Sequence, residues 1–163
     1  MTATYDCIAS ATTSATTSSI TFSSIPNTYT DLVLVINNAN VNVTSYIGMR
    51  FNNDTGSNYG STRLYGSGAT ASSDGYGART SMLVSTANTS GSQLSICHIF
   101  NYANTNTKKV VLSRDNGTVL RVGLLASSWT DSANAINRID LIVPDSSGWT
   151  ANSTFALYGI KAE

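Results

Sequence analysis

The chain has 163 residues, 41 % of them hydrophobic, which is enough apolar material to bury a core. Charged residues make up only 11 %, less than half of the share of about 25 % that is usual in globular proteins. Nine basic and nine acidic residues balance to a net charge of zero, so we expect neither nucleic acid nor a membrane surface among the partners.

Short runs of β-branched, aromatic and aliphatic residues alternate with turns rich in Ser, Thr, Asn and Gly along the whole chain. Many short strands with regular turn signals are typical of an antiparallel sandwich or barrel. We therefore predict one all-β domain over residues 1–163. In chain order, the predicted strands are 5–10, 20–23, 31–38, 46–51, 63–65, 80–85, 93–102, 108–114, 119–125, 135–143 and 155–161.

Two of these strands carry more detailed expectations. Residues 32–36 are apolar throughout, which is expected of a central strand covered on both faces. In 93–102, alternation places His98 on an apolar face, and a packed, hydrogen-bonded core histidine is the expectation there. That apolar face carries Leu94, Ile96, His98, Phe100 and Tyr102. Between two later strands, Asn116-Gly117 predicts a type I′ hairpin turn.

The least regular stretch is 52–79, where glycines alternate with tyrosines. Long loops in compact domains are often functional or mobile, so a binding edge and a plain surface loop both remain open. Tyr among Ser, Gly and Asn is typical of adaptable binding surfaces. The candidate contacts are Tyr59, Arg63, Tyr65 and Tyr76.

Groups for catalysis are scarce, because the chain has one histidine, His98, and one glutamate, Glu163. Neighbours in a strand point to opposite faces, which leaves Cys97 badly placed to act with His98 as nucleophile and base. Five aspartates that could supply carboxylates for catalysis lie in turn-like stretches, where Asp is favoured for its backbone hydrogen bonds. We expect no catalytic residues and no enzyme activity. These turn aspartates are Asp54, Asp74, Asp115, Asp131 and Asp145.

Cofactor sites are equally weakly indicated. Zinc would require clustered Cys and His, and only Cys97 and His98 are close. The Asn52-Asn53-Asp54 turn offers oxygen ligands for calcium, but its spacing does not match an EF-hand loop. We expect no metal and no cofactor, and we expect Cys7 and Cys97 to be free thiols instead of a disulfide.

The beginning of the chain has neither a basic segment nor an apolar one that would form a signal peptide. The longest apolar run, 32–36, is far too short to cross a bilayer. These observations predict synthesis in the cytoplasm.

Five segments of the chain resemble a group of virion proteins of cyanophages and related tailed phages. They are RFNNDTGSNY at 50–59, YDCIAS at 5–10, ITFSSIP at 20–26, YTDLVLV at 29–35 and FALYGIK at 155–161. The resemblance implies a jelly-roll-like sandwich that serves as a capsid decoration (cement) protein or as a tail or fibre component. It supplies no active-site residues, and it leaves the choice between head and tail open.

The leading hypothesis is therefore a non-enzymatic virion protein that stabilises the head by bridging shell subunits. Its expected partners are the major capsid protein or other virion proteins, and a homo-oligomer is expected, with a trimer favoured. The alternative is a tail or fibre component that binds a host-surface glycan through Tyr59, Arg63, Tyr65 and Tyr76. A hydrolase on a sandwich scaffold is disfavoured by the single histidine and the single glutamate.

Overall fold

The computed structural model describes residues 4–89, 93–116, 120–144 and 148–161. Over these ranges the chain forms twelve β-strands, and no helix there is long and apolar enough to span a membrane. The all-β prediction is confirmed. The strands are β1 (Tyr5–Thr12), β2 (Ser19–Phe22), β3 (Asp31–Asn37), β4 (Ser45–Phe51), β5 (Tyr59–Ser67), β6 (Thr70–Arg79), β7 (Met82–Ala87), β8 (Leu94–Phe100), β9 (Lys109–Asn116), β10 (Arg121–Trp129), β11 (Ile139–Ile142) and β12 (Thr154–Ile160).

The strands form two antiparallel sheets, as predicted for a β-sandwich. The large sheet has eight strands in the order β1-β12-β3-β8-β9-β10-β5-β6, and the small sheet has four in the order β2-β11-β4-β7. From β1 to β5 the chain passes to the other sheet at every step, and it does so again from β6 to β7, from β7 to β8, from β10 to β11 and from β11 to β12. The hairpins β5–β6 and β9–β10 widen the large sheet on one side.

One hydrophobic core fills the space between the sheets. Aromatic rings close it at two places: Trp129 meets Phe51 edge to face at 5.6 Å between centroids, and Trp149 meets Phe155 in the same way at 4.8 Å. The central position expected for 32–36 is observed, because β3 lies between β12 and β8 with Leu34 fully buried. We call the face of the large sheet that touches this core the inner face, and the opposite one the outer face.

The structure corrects the prediction for 52–79. Most of this stretch forms the hairpin β5–β6, whose turn contains Gly68 in the left-handed region at φ 60°. The Gly and Ser residues of this stretch have a low intrinsic strand propensity, so it did not look like a strand. The two strands pair nevertheless, because small residues are tolerated at positions that neither the small sheet nor the core covers. Gly66, for example, is paired with Ala71 at the edge of the large sheet.

The structure also reverses the faces of β8. The residues of β8 that were predicted to share one face do share it, but that face is the outer one, where Ile96 and His98 lie. Cys97 and Ile99 are fully buried in the core instead. Both faces of this strand carry large apolar side chains, so alternation alone could not tell which one the second sheet covers. Tyr102, which follows the strand, is buried as expected.

The predicted turn at Asn116-Gly117 is wrong in its geometry. A hairpin does connect β9 to β10, but Asn116 is paired with Val122 as part of the ladder. Asn116 is therefore a strand residue and not a corner of a two-residue turn. Gly117 lies outside the described residues.

Candidate functional site

Of the four predicted binding residues, Tyr59 belongs to the core and not to a surface. Only 1 % of Tyr59 is exposed, and its ring lies parallel to that of Trp129 at 6.4 Å. Its hydroxyl accepts a hydrogen bond from the Phe51 amide at 3.0 Å and donates to the Asp54 carbonyl at 3.2 Å. Burial raises the pKa of Tyr59 to about 12, which keeps the phenol protonated. The prediction that Tyr59 contacts a ligand is therefore wrong.

The structure brings the other three, Arg63, Tyr65 and Tyr76, together on one face of the β5–β6 hairpin. Tyr65 lies between two guanidinium groups, with the Arg63 carbon 4.5 Å and the Arg121 carbon 4.8 Å from its ring centroid. Such distances are within the range of cation–π contacts. Arg63 and Tyr65 are two residues apart in one strand, so they share a face by simple alternation.

The row continues toward β4. The Arg79 guanidinium lies 5.4 Å from the ring centroids of both Tyr46 and Tyr76, and it donates to the Tyr46 hydroxyl at 2.6 Å. We call this row of alternating cations and rings the arginine–tyrosine ladder. Its members are Tyr46, Arg63, Tyr65, Tyr76, Arg79 and Arg121.

The ladder carries excess positive charge. Arg63 forms an ion pair with Asp74, to which the Tyr76 hydroxyl also donates a long hydrogen bond of 3.5 Å. Among the described residues, Arg79 and Arg121 have no carboxylate within ion-pair distance. The Nε atoms of Arg63 and Arg121 are buried, and neither has a hydrogen-bond partner among the described residues. Three guanidinium groups thus face a single carboxylate.

A pocket opens in the ladder between the hairpin and the small sheet. Its volume is about 140 Å³, and it is lined by Tyr46, Arg63, Tyr76, Arg79 and Leu83. This volume is close to that of an engineered cavity of about 150 Å³ that takes up benzene, so it suits one small ring. Of the predicted contacts, Arg63 and Tyr76 line it directly.

The outer face of the large sheet is the second unusual surface. Five large aliphatic side chains on β5, β9 and β10 are between 40 % and 64 % exposed there. We call them the outer patch: Leu64, Val110, Leu112, Val122 and Leu124. The register joins them, since Leu124 is paired with Leu64 across one strand boundary. On the outward positions of β5, β8, β9 and β10 the one Lys, Arg, Asp or Glu is Arg114.

His98 lies beside this patch, on the face of β8 opposite to Cys97. Its Nε2 is 3.2 Å from an Asp31 carboxylate oxygen, and its ring stacks on Phe100 at 4.1 Å between centroids. Cys97 points into the core, where burial raises the pKa of its thiol to about 12. The histidine is hydrogen-bonded, as expected, but it lies on the outer face and not in the core.

In the Asn52-Asn53-Asp54 turn, the side-chain oxygens of Asn52 and Asp54 accept internal hydrogen bonds. Asn52 Oδ1 accepts from the Asn137 amide at 3.0 Å, and Asp54 accepts from the Trp129 indole at 2.7 Å. Burial raises the pKa of Asp54, but hydrogen bonds from Trp129, Asn58 and Gly56 outweigh it and hold that pKa below its ordinary value. The Asn52 and Asp54 oxygens are thus occupied by N–H donors.

Other acidic groups are also held in internal contacts. Asp115 accepts from the Ser85 hydroxyl and the Thr86 amide, both at 3.1 Å, and Asp140 is paired with Arg138. Within the described ranges, no three His, Cys, Asp or Glu side chains are grouped to hold a metal ion. Asp145 and Glu163 lie outside those ranges.

Sequence reasoning missed Tyr46, Arg79, Arg121 and the outer patch. Tyr46 lies on β4 and Arg121 on β10, so no spacing along β5 and β6 could have linked them to Arg63 and Tyr65. Comparison with protein-family models, with curated proteins and with solved structures gives no match. Any functional assignment must therefore start from the ladder and the outer patch.

Proposed function

We propose that this chain is a non-enzymatic structural protein of a phage-type virion, a capsid decoration protein that docks on shell subunits through its outer patch. The exposed outer patch is the observation that carries the proposal. It is a nearly uncharged surface built on regular, hydrogen-bonded strands. Such a surface is suited to repeated contacts with another protein.

The size of the surface supports a docking role. The three strands that carry it, about 4.8 Å apart and about 27 Å long, present a face of about 390 Å². The largest apolar patch on a monomer is typically about 300–600 Å² and is often functional. Fully covering one leucine side chain contributes about 1.5–3 kcal/mol, so a partner that covers several of them gains appreciable affinity.

The chemistry of the patch also restricts its partner. With Arg114 as the one strongly charged group on the outward positions of β5, β8, β9 and β10, little charge needs to be desolvated. A strongly basic or acidic partner would find almost no complementary charge there. A flat and mainly neutral surface of a shell subunit fits this face, and contacts of this kind repeated over a shell would stabilise it.

Topology adds support at the level of the fold. Without the hairpins β5–β6 and β9–β10, the sheets would be β1-β12-β3-β8 and β2-β11-β4-β7, an eight-stranded sandwich. We infer that this sandwich is a jelly roll with two inserted hairpins. Jelly rolls occur in viral capsid and lectin domains, although a fold alone does not establish a function. The resemblance of five segments to phage virion proteins points in the same direction.

We further propose that the chain is located in the virion, after synthesis in the host cytoplasm, and that it works as a homo-oligomer, with a trimer favoured. Closed symmetric assembly is usual for proteins that repeat a contact.

Quantitative mass spectrometry of purified particles tests the proposal. A decoration protein is expected at a copy number comparable to that of the shell protein. Leu124→Asp is expected to lower the copy number at least tenfold, whereas Lys108→Asp, an exposed change in the loop before β9, is expected to leave it unchanged. Equal incorporation of both variants, or absence of the wild-type chain from particles, would refute the proposal.

The ladder favours a second candidate, a tail or fibre component that binds a host-surface glycan. Tyrosine rings, guanidinium donors and an apolar wall line its pocket, a combination that ligand sites commonly use. For this candidate, Tyr76→Ala is expected to abolish host adsorption without unfolding the chain, because its ring is only half-buried. Adsorption that survives this substitution would remove the candidate, as would a copy number comparable to that of the shell protein.

A further inference from the structure

We propose that the pocket lined by Tyr46, Arg63, Tyr76, Arg79 and Leu83 binds a carboxylate carried on a small ring, and that its ligand class is the uronic acids. The inference rests on the glycan-binding candidate and is independent of the outer patch. It specifies the charge and the size of the ligand, which that candidate leaves open.

Arg79 provides the first argument. Its guanidinium is half-buried between the rings of Tyr46 and Tyr76, and its hydrogen bond goes to a neutral hydroxyl. A guanidinium keeps its charge at any ordinary pH, and it matches a carboxylate by two parallel hydrogen bonds. Since no carboxylate pairs with Arg79 among the described residues, its remaining donors are available to an anionic ligand.

Asp74 provides the second argument, because it shows that the pocket wall accommodates a carboxylate. One of its oxygens is bound by the Arg63 guanidinium and approached by the Tyr76 hydroxyl. These two groups also line the pocket. A ligand carboxylate would meet the same kinds of donor at Arg79, which lines the same pocket. Asp74 also competes for Arg63, so it should limit the affinity for an external anion.

The walls provide the third argument. The rings of Tyr46 and Tyr76 and the side chain of Leu83 give apolar surfaces on which the C–H face of a sugar ring can lie. A volume of about 140 Å³ admits one monosaccharide-sized ring and not a chain of them. The pocket therefore fits a terminal residue of a glycan.

The experiment compares D-glucuronate with D-glucose, which differ by one carboxylate, in titrations of the full chain followed by NMR. Glucuronate is expected to bind at least tenfold more tightly than glucose. Arg79→Gln is expected to weaken glucuronate binding about tenfold, in line with the loss of one charged hydrogen-bond pair. Lys108→Gln, which removes the same charge from an exposed position outside the pocket, is expected to change binding less than twofold.

Asp74→Asn gives a test that a purely structural ladder would not pass. It removes the internal competitor for Arg63, so glucuronate affinity is expected to rise about threefold or more while glucose affinity stays the same. Arg79→Lys keeps the charge and is expected to retain part of the binding, which guards against a folding defect in Arg79→Gln.

The outcomes separate the two levels of the argument. Equal affinity for glucose and glucuronate would overturn the inference and leave a neutral glycan site standing. Failure of both sugars to bind would overturn the inference and the glycan-binding candidate together. Undiminished glucuronate binding by a folded Arg79→Gln variant, or weaker binding after Asp74→Asn, would also overturn the inference. None of these results affects the outer patch.

Discussion

The two faces of the large sheet differ in what covers them far more than in how apolar they are. On β9, Val111 of the inner face is fully buried, while its neighbour Leu112 of the outer face is 40 % exposed. On β10, Leu125 and Leu124 show the same contrast, at 0 % and 44 %. In strands of this kind, the second sheet decides which aliphatic residues form the core.

The inner face also contains buried hydroxyl groups. Ser127 donates to the Leu83 carbonyl at 2.8 Å, and Ser61 accepts from the Leu83 amide at 2.9 Å. Ser85 and Ser95 bond to each other across the sheets. Burying a hydroxyl is tolerated when it finds a partner. These cross-sheet bonds therefore allow serine to occupy the inner face while leucine is left outside.

The largest expected effect comes from placing the same charge on the two faces of β9. Val111→Asp would bury a carboxylate without a partner, which costs several kcal/mol and is of the order of the whole stability of a domain, about 5–15 kcal/mol. We expect this variant not to fold, as measured by near-ultraviolet circular dichroism. Leu112→Asp is expected to change the free energy of unfolding by less than about 1 kcal/mol. Similar losses for both variants would contradict the assigned faces.

A smaller effect on stability is expected from losing the hydrogen bond of the Trp129 indole, at the end of β10. Asp54→Ala leaves the buried indole N–H without its acceptor, so the free energy of unfolding should fall by about 2–3 kcal/mol in urea denaturation. Asp131→Ala is the comparison variant, because its hydrogen bonds go to N–H groups of its own turn and its further interaction is a charge attraction to Lys109. It should cost about 1 kcal/mol at most. Equal losses would show that the indole bond contributes nothing.

Acid pH should weaken the same end of the core. In Asp54 and Asp140, burial raises the carboxyl pKa, but hydrogen bonds outweigh it and leave that pKa below the ordinary value of 3.8. A carboxyl group with a lowered pKa stabilises the fold above its unfolded-state pKa, and this stability is lost as the pH falls through the folded-state pKa. Unfolding free energy should therefore drop below about pH 4. Asp54→Asn should show a shallower drop, and an identical slope would contradict this assignment.

The smallest effect concerns reactivity and not stability. Cys7 is exposed on β1, whereas Cys97 is fully buried on the inner face and its thiol pKa is raised to about 12. At about pH 8 a thiol reagent should label Cys7 in the folded chain and reach Cys97 only in denaturant. Cys7→Ser should abolish the fast phase. Rapid labelling of both thiols in the folded protein would contradict the burial of β8.

Much of the fold was predictable because long apolar runs determine strands. The predicted strand 31–38 is observed as Asp31–Asn37, and 155–161 as Thr154–Ile160. The hairpin β5–β6 was not predicted, because its stability comes from pairing with β10 and not from its own Gly- and Ser-rich residues. The propensity of a segment depends on its own residues and does not report its pairing with a strand that is distant in sequence.

The candidate site was predictable only in part, for the same reason. Arg63, Tyr65 and Tyr76 were named from composition, and alternation does place them on one face. Tyr59 lies on the same face, but at the end of β5 that packs against Phe51 and Trp129, so its ring is in the core. Tyr46 and Arg121 come from strands distant in sequence: pairing with β5 brings Arg121 to the ladder, and contact between the two sheets brings Tyr46 to Arg79.

Carbene footprinting with mass spectrometry tests the central claim, that the outer patch is a contact surface in the assembled particle. Peptides that contain Leu112 and Leu124 should be labelled strongly in the free chain, since both residues are exposed. In purified particles we expect their labelling to fall at least fivefold, while Val43, which lies in the loop before β4 and is 57 % exposed, stays labelled. Unchanged labelling of Leu112 and Leu124 in particles that contain the chain would contradict the account.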